Sequence, residues 1–304
     1  MNKKVISPLI LLIAAMIWGF AFAAQGAVSE MGAFTLGFLR SILAGVFLIF
    51  VVMVLDKVTT SKRKLFSSKG FDINKTELIG GVICGAVLAT ASAFQQIGIN
   101  QGTDSGKAAF ITALYVILVP IYALAIKKKA PINVWASVFI AMIGFYFLCI
   151  TDTMSIAGSD ILVIIGSMIF PIHILTIDHF SPKCDGVRMS MIQFFSAAVI
   201  NLIIALIAES PIDFNCVVSN ALPVIYLGIG SSGIAYTLQI VGQKGVNPAV
   251  AAVILSLESV FGVVGAAIFL GTHLTAREYI GCAIVLAAVI LSQIPFQSKK
   301  KRCK

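Results

Sequence analysis

Charge is what this sequence has least of. Asp, Glu, Lys and Arg make up 12% of its 304 residues, where a soluble domain carries about 25%. That is too little polar surface to wrap a water-soluble globule of this length. Cysteine is sparse too. Cys84, Cys149, Cys184, Cys216, Cys282 and Cys303 fall mostly inside apolar runs and lack paired metal-type spacing, so neither a disulfide framework nor a zinc site is expected. No Gly-rich loop ending in Lys-Ser or Lys-Thr is present, which argues against ATP hydrolysis. No cofactor and no metal is implied.

What remains is 59% hydrophobic and arranged in apolar runs of about 20 residues, each long enough to cross a ~30 Å hydrocarbon core as a helix. Ten such runs are read, with limits Pro8–Val28, Phe34–Leu55, Glu77–Gly98, Ser105–Ile126, Asn133–Ile150, Gly158–Ile177, Val187–Ala208, Ala221–Gly242, Ala249–Leu270 and Ala276–Ile294. The first follows Lys3 and Lys4 like a signal peptide, but it is long and no small-residue cleavage site precedes the next run, so it is kept as a span. The fold class is all-α integral membrane. A break near Asp152–Ser155 divides the chain into residues 1–151 and 152–304, five spans in each.

The stretch Tyr236–Gly271 occurs twice. A gapless shift of 143 positions (245 − 102) lays Gly102 on Gly245, Gln96 on Gln239, Gly85 on Gly228 and Leu114 on Leu257. Because five spans is an odd number, the second half must enter the membrane from the opposite side. Inverted repeats of this kind are a signature of secondary transporters.

Lys and Arg collect in loops that stay cytoplasmic. With both termini inside, that side holds Lys62–Lys64, Lys127–Lys129, Lys183, Lys244 and Lys299–Arg302, while the outer side keeps only Arg40, Lys107 and Arg277 at span ends. The net charge of +9 is explained this way without nucleic acid, and the terminal run KKKRCK reads as a topogenic, anionic-lipid contact. The expected location is the cytoplasmic membrane, multi-pass, in contact with the lipid bilayer.

Several stretches then resemble the EamA-type ten-helix transporters of the drug/metabolite transporter superfamily. These are AAMIWGFAF in the first span, FLRSILAG in the second, DSGKAAFITALYVILVPIYAL in the fourth and SLESVFGVVGAAIFLGTHLT in the ninth. Ser259 stands where that family commonly has Pro, and Thr272 where it often has Glu. The resemblance covers the whole chain. It implies a central cavity lined by the first, third, fourth, sixth, eighth and ninth helices, with the fifth and tenth peripheral. It also implies movement of metabolites, amino acids or drugs, often out of the cell.

Polar groups inside hydrocarbon are costly unless they meet a cavity or a partner. Glu258 is the sharpest case: a charged carboxylate in mid-span costs about 2.5–3.5 kcal/mol. It is read either as a proton or solute site or as a structural pin, and its repeat mate is Tyr115 (258 − 143). His173 follows Pro171, where a kink and a freed carbonyl are expected, and a neutral histidine bonded to that carbonyl competes with a titrating one. Trp18 is a cavity wall or simple packing. Tyr236 lies three residues before Gln239 on the same helical side, and Gln96 and Gln239 line or close opposite mouths, or merely bond neighbouring helices. Trp18, Gln96, Tyr115, His173, Tyr236, Gln239 and Glu258 therefore form the expected solute pathway. Arg40 and Lys107 are expected as entrance charges, against a structural salt bridge for Arg40 and snorkelling for Lys107.

The function expected is secondary transport of a small-molecule solute by alternating access, outward and with proton coupling as an option. An uptake permease or an uncoupled facilitator is the alternative, and a non-transporting structural subunit would leave the repeats unexplained. An enzyme is not expected. The remote exception is an intramembrane serine hydrolase built on Gly230-Ser231-Ser232-Gly233, with Ser232 as nucleophile and His273 as base, and those two lie too far apart along their spans for contact.

Overall fold

The computed structural model describes residues 3–58, 73–149, 156–270 and 275–294, and every regular element among them is helical. The Asp152–Ser155 boundary, Thr272, His273, the KKKRCK run and most of the Asp56–Thr76 loop lie outside the described residues. The helices are α1 (Lys3–Ala27), α2 (Ala33–Val58), α3 (Lys75–Asn100), α4 (Ser105–Ala113), α5 (Tyr115–Ala125), α6 (Ile132–Cys149), α7 (Gly158–Phe180) and α8 (Gly186–Ala208). They continue with α9 (Phe214–Ser219), α10 (Ala221–Ile225), a π-helix (Tyr226–Tyr236), α11 (Thr237–Gln243), α12 (Pro248–Leu255), α13 (Glu258–Leu270) and α14 (Ala276–Gln293).

Among the described residues nine helical segments are long and apolar enough to span a membrane, and the apolar helix Ile132–Leu148 is a shorter tenth. The fourth span is α4 plus α5, the eighth is α10, the π-helix and α11, and the ninth is α12 plus α13. Ten crossings put the start of α1 and the end of α14 on one face, here the terminal face; the other is the distal face. Helices are the form an apolar run must take in lipid, because each satisfies its backbone groups within itself. Large apolar side chains such as Phe50, Phe139, Ile207 and Leu222 point outward to the bilayer.

Polar residues mark the starts. Asn74 and Glu77 cap α3 reciprocally, as Thr275 and Glu278 cap α14. The duplication is visible in the turns as well. Asp104 caps α4 and its repeat mate Asn247 (247 − 143) caps α12. Just before those caps, Gly102 and Gly245 take φ of +104° and +84°, a left-handed conformation that favours glycine.

The two halves interlock rather than sit side by side. α3 packs on α7 and α8, α2 packs on α8, and α1 packs on α13 and the eighth span. α6 and α14 pack on each other at the periphery, where a Cβ on Gly281 would come 2.8 Å from Gly144 O. Small residues permit such approaches where lipid offers no hydrophobic drive between helices.

Carboxylates pin the two faces. At the distal one, Glu209 accepts from Phe34 N–H at 2.9 Å and Thr35 N–H at 2.7 Å, holding the end of α8 to the start of α2. At the terminal one, buried Glu77 accepts from Arg188 Nη2 and from Asp185 N–H, both at 2.9 Å. Removing one partner of a buried pair leaves the other charge uncompensated, at about 3–5 kcal/mol. Arg188→Leu is expected to lower the melting midpoint of the detergent-solubilised protein, and adding Glu77→Gln should recover part of the loss. An unchanged midpoint would mean that the pair contributes nothing.

Two spans are interrupted at the same depth. Leu114 N–H and Leu257 N–H each bond three residues back, to Ile111 O and Ile254 O, both at 3.2 Å. These tightened turns end α4 and α12 and make Tyr115 and Glu258 the first residues of α5 and α13. Mid-helix tightening of this kind often marks a hinge. By contrast α7 is one continuous helix through Pro171, and the interrupted spans are the fourth and ninth. A proline inside a membrane helix is tolerated where neighbouring groups satisfy the backbone it disturbs.

Candidate functional site

A small cavity of about 50 Å³ lies between the halves, room for a few waters in this conformation. Its wall takes Trp18 and Gln25 from the first span, Arg40 from the second, Gln95 from the third and Thr112 and Tyr115 from the fourth. His173 comes from the sixth, Ser231, Tyr236 and Gln239 from the eighth, and Glu258 from the ninth. The fifth and tenth spans do not reach it. The second span does, through Arg40, which the family resemblance alone did not imply.

Tyr236 stands at the centre of the aromatic wall. Its ring centroid lies 4.5 Å from Trp18, 5.7 Å from His173 and 5.8 Å from Phe194. The Trp18 indole donates to Ser231 O at 3.1 Å. That carbonyl belongs to the π-helix, which spans the run Gly228-Ile229-Gly230-Ser231-Ser232-Gly233 and is a form often found at functional sites. His173 is buried and its Nε2–H donates to Gln193 Oε1 at 3.0 Å. The backbone partner expected for it near Pro171 is therefore replaced by a side chain of the seventh span.

Glu258 is 4% exposed, at the head of α13. Helix N-termini favour negative charge, which is the local reason a carboxylate can occupy this depth. The Tyr115 hydroxyl approaches it from α5, yet Tyr115 Oη and Glu258 Oε1 are both buried without a partner at hydrogen-bond geometry. Gln239 Oε1 is likewise buried and unpartnered in the same wall. Buried polar atoms without a partner are uncommon in native interiors and call for an explanation, such as an ordered water or a functional role.

A second, smaller cavity of about 20 Å³ adjoins the first on its distal side, lined by Ala33, Gly37, Ser92, Gln96 and Asn201 among others, and Arg40 and Tyr236 belong to both walls. Gln96 thus faces the neighbouring cavity, donating to Asn100 Oδ1 at 2.8 Å, while its repeat mate Gln239 faces the central one.

The two entrance charges fare differently. Arg40 is only 9% exposed and reaches the middle of the eighth span, so it is a wall residue and not a charge at the mouth. The reason is steric: the small residues of the π-helix leave room for the long side chain to turn inward. Lys107, in the first turn of α4, pairs with Asp160 at the start of α7 and does not line the cavity.

Gln25, Gln95, Thr112 and Gln193 were not singled out in the sequence, although an amide or hydroxyl within an apolar run is itself a signal. Gln95 donates to Thr112 Oγ1 at 2.7 Å, tying the third span to the fourth. Ser232 lacks the surroundings of a nucleophile. Its Oγ accepts from Arg40 Nε at 2.9 Å, and neither His173 nor His179 bonds to it. Among the described residues no cluster of His, Cys, Asp and Glu could hold a metal ion.

Comparison with known proteins agrees with this architecture. An uncharacterized transporter from Archaeoglobus fulgidus is 27% identical over 294 residues, covering 95% of this chain and 86% of its own length. A solved protein crystal structure superposes with a TM-score of 0.74 over 94% of this chain and 96% of its own, at 15% identity, a likeness of fold alone. Residues 5–150 and 158–293 each match the EamA-like transporter family. The chain therefore belongs to that family, in the drug/metabolite transporter superfamily, and is a multi-pass membrane transporter.

Proposed function

We propose that this protein exports small organic solutes across the cytoplasmic membrane by alternating access through the central cavity, and that Glu258 exchanges the proton that couples transport to a pH gradient. The observation that carries this reading is the composition of the wall: both halves contribute to one cavity, and the repeat-related hinge positions place Tyr115 and Glu258 inside it. A motion that flexes the two interrupted spans in turn would expose the cavity first to one face and then to the other. Trp18, Tyr236, His173 and Gln239 would contact the solute, and Gln96 would meet it in the neighbouring cavity. The test is flux in proteoliposomes loaded with a panel of amino acids and other metabolites, with and without an imposed pH gradient. Saturable, gradient-responsive flux supports the reading; saturable flux indifferent to the gradient would leave an uncoupled facilitator.

In the same proposal the terminal face is cytoplasmic, on the strength of the lysines that gather there. Single-Cys variants at Ser210 on the distal side and Lys129 on the terminal side, made in a background without native cysteines, test the orientation in intact cells. An impermeant thiol reagent is expected to label position 210 and spare position 129. The reverse pattern would invert the topology and with it the direction of transport.

A further inference from the structure

We infer that Arg40 is the receptor for a carboxylate group on the transported solute, an inference that rests on the transport reading above and names its substrate class. Arg40 is buried, yet every partner it has is neutral. Nε donates to Ser232 Oγ at 2.9 Å, Nη2 to Ser231 Oγ at 3.2 Å and Nη1 to Gln25 Oε1 at 3.3 Å. Three of its five N–H groups are used this way, and one on each terminal nitrogen is left over. No carboxylate of the described residues comes within ion-pair distance of it, whereas Lys107, Lys128 and Arg188 are all paired, with Asp160, Asp178 and Glu77.

A charge taken into a membrane protein without a counter-ion costs several kcal/mol. Holding two hydroxyls and an amide does not require a charge, since a neutral amide side chain would do it. The place of Arg40 supplies the missing reason. Arg40 lines both cavities, so a solute held in either one would meet it. The serines and Gln25 fix the plane of the group from one side, and the planar edge of a guanidinium accepts the two oxygens of a carboxylate side by side. Tyr236 shares that wall with Trp18 packed on it, an apolar surface for the rest of the solute. The other charge bordering the cavity, Glu258, enters from the ninth span. The solute class is a small organic carboxylate.

The test compares acids with their amides: acetate with acetamide, lactate with lactamide, benzoate with benzamide. Each is measured by thermal stabilisation of the purified protein and by inhibition of counterflow in proteoliposomes. In the wild type the acids are expected to act at concentrations at least tenfold below their amides. Arg40→Lys should weaken the acids while keeping the preference, and Arg40→Gln should abolish the preference by weakening the acids far more than the amides. A purely structural Arg40 would lower stability in both variants without altering the ratio of acid to amide. Equal action of acid and amide on the wild type, which needs no variant to fold, overturns the inference, as does a preference that survives Arg40→Gln. Saturable flux of neutral solutes, sensitive to Trp18→Ala and without acid preference, would reject the carboxylate site and leave transport standing. Absence of saturable flux for any solute would reject both.

Discussion

Glu258→Gln is expected to give a protein that folds and inserts like the wild type, moves solute downhill at near wild-type rate, and no longer accelerates when a pH gradient is imposed. Glutamine keeps the size of the side chain and one carbonyl oxygen, so the packing at the head of α13 is preserved. It cannot give up or take a proton. The other titratable or charged groups facing this carboxylate are Tyr115 from α5, His173 from α7, Arg40 from α2 and Tyr236 at the end of the π-helix. Tyr115 and Tyr236 are retained in the variant to donate or accept, while His173 stays committed to Gln193. Coupling requires that occupancy of one site change the free energy of the other, and the variant removes one of the two sites. The measurement is initial flux in proteoliposomes with and without the gradient. Equal gradient response in wild type and Glu258→Gln would sink the proton role of this residue.

Gly19→Leu should produce no correctly assembled protein, and Gly19→Ala should assemble poorly and transport little. A Cβ at this position would sit 2.5 Å from Phe261 Cβ, 2.7 Å from Glu258 O and 2.8 Å from Gly262 N. Two of those three atoms are backbone, which cannot rotate away, so the ninth span would have to withdraw from the first. Overpacking ordinarily costs about 1–3 kcal/mol. Here the displaced element also carries Glu258, and Trp18 is the next residue on the opposing helix, so function should fall further than stability. The control is Gly158→Ala, where no heavy atom lies within 4 Å and little change is expected. Size-exclusion profiles and melting midpoints report assembly, and flux reports the cavity. A Gly19→Leu variant that melts and transports like the wild type would refute the close packing of first and ninth spans.

The ten spans were legible because a membrane helix is announced by length and composition, and the duplication because Gln96, Gly102 and Leu114 recur at one offset. The hinges were not. They consist of short backbone bonds, Leu114 to Ile111 and Ile117 to Leu114 in one span, Leu257 to Ile254 and Ser259 to Ser256 in the other, with no proline at either turn. Pro120 lies beyond the first, inside α5. Pro171, the visible breaker, sits in a helix that does not break. Arg40 was placed too near the membrane surface because its depth was measured along its own helix. Where its side chain ends is set by a different helix, through Ser231 and Ser232. Glu258 stood out because it carries a charge, whereas Gln25, Gln95 and Gln193, uncharged amides inside apolar runs, were not singled out. Which of them faces a cavity is decided by rotation about the helix axis, and an apolar run does not reveal that.

The π-helix of the eighth span alters the phase of everything that follows it. Residues Tyr226–Tyr236 correspond to residues 83–93 (226 − 143 and 236 − 143), which wind as ordinary α-helix within α3. A π turn takes up more residues than an α turn, so the same number of residues sweeps a smaller total angle, and side chains beyond it emerge in a different direction. Inversion already sets Gln96 and Gln239 at opposite depths, where they border different compartments, and the π-helix adds a rotation about the helix axis to that difference. No insertion or deletion was needed to separate them, since the gapless offset runs straight through the stretch. Divergence between two copies of a gene is usually sought in substitutions at matching positions. Here inversion together with a local change of screw pitch sets one inherited amide in two separate surroundings, so aligned positions in the two halves need not share a role.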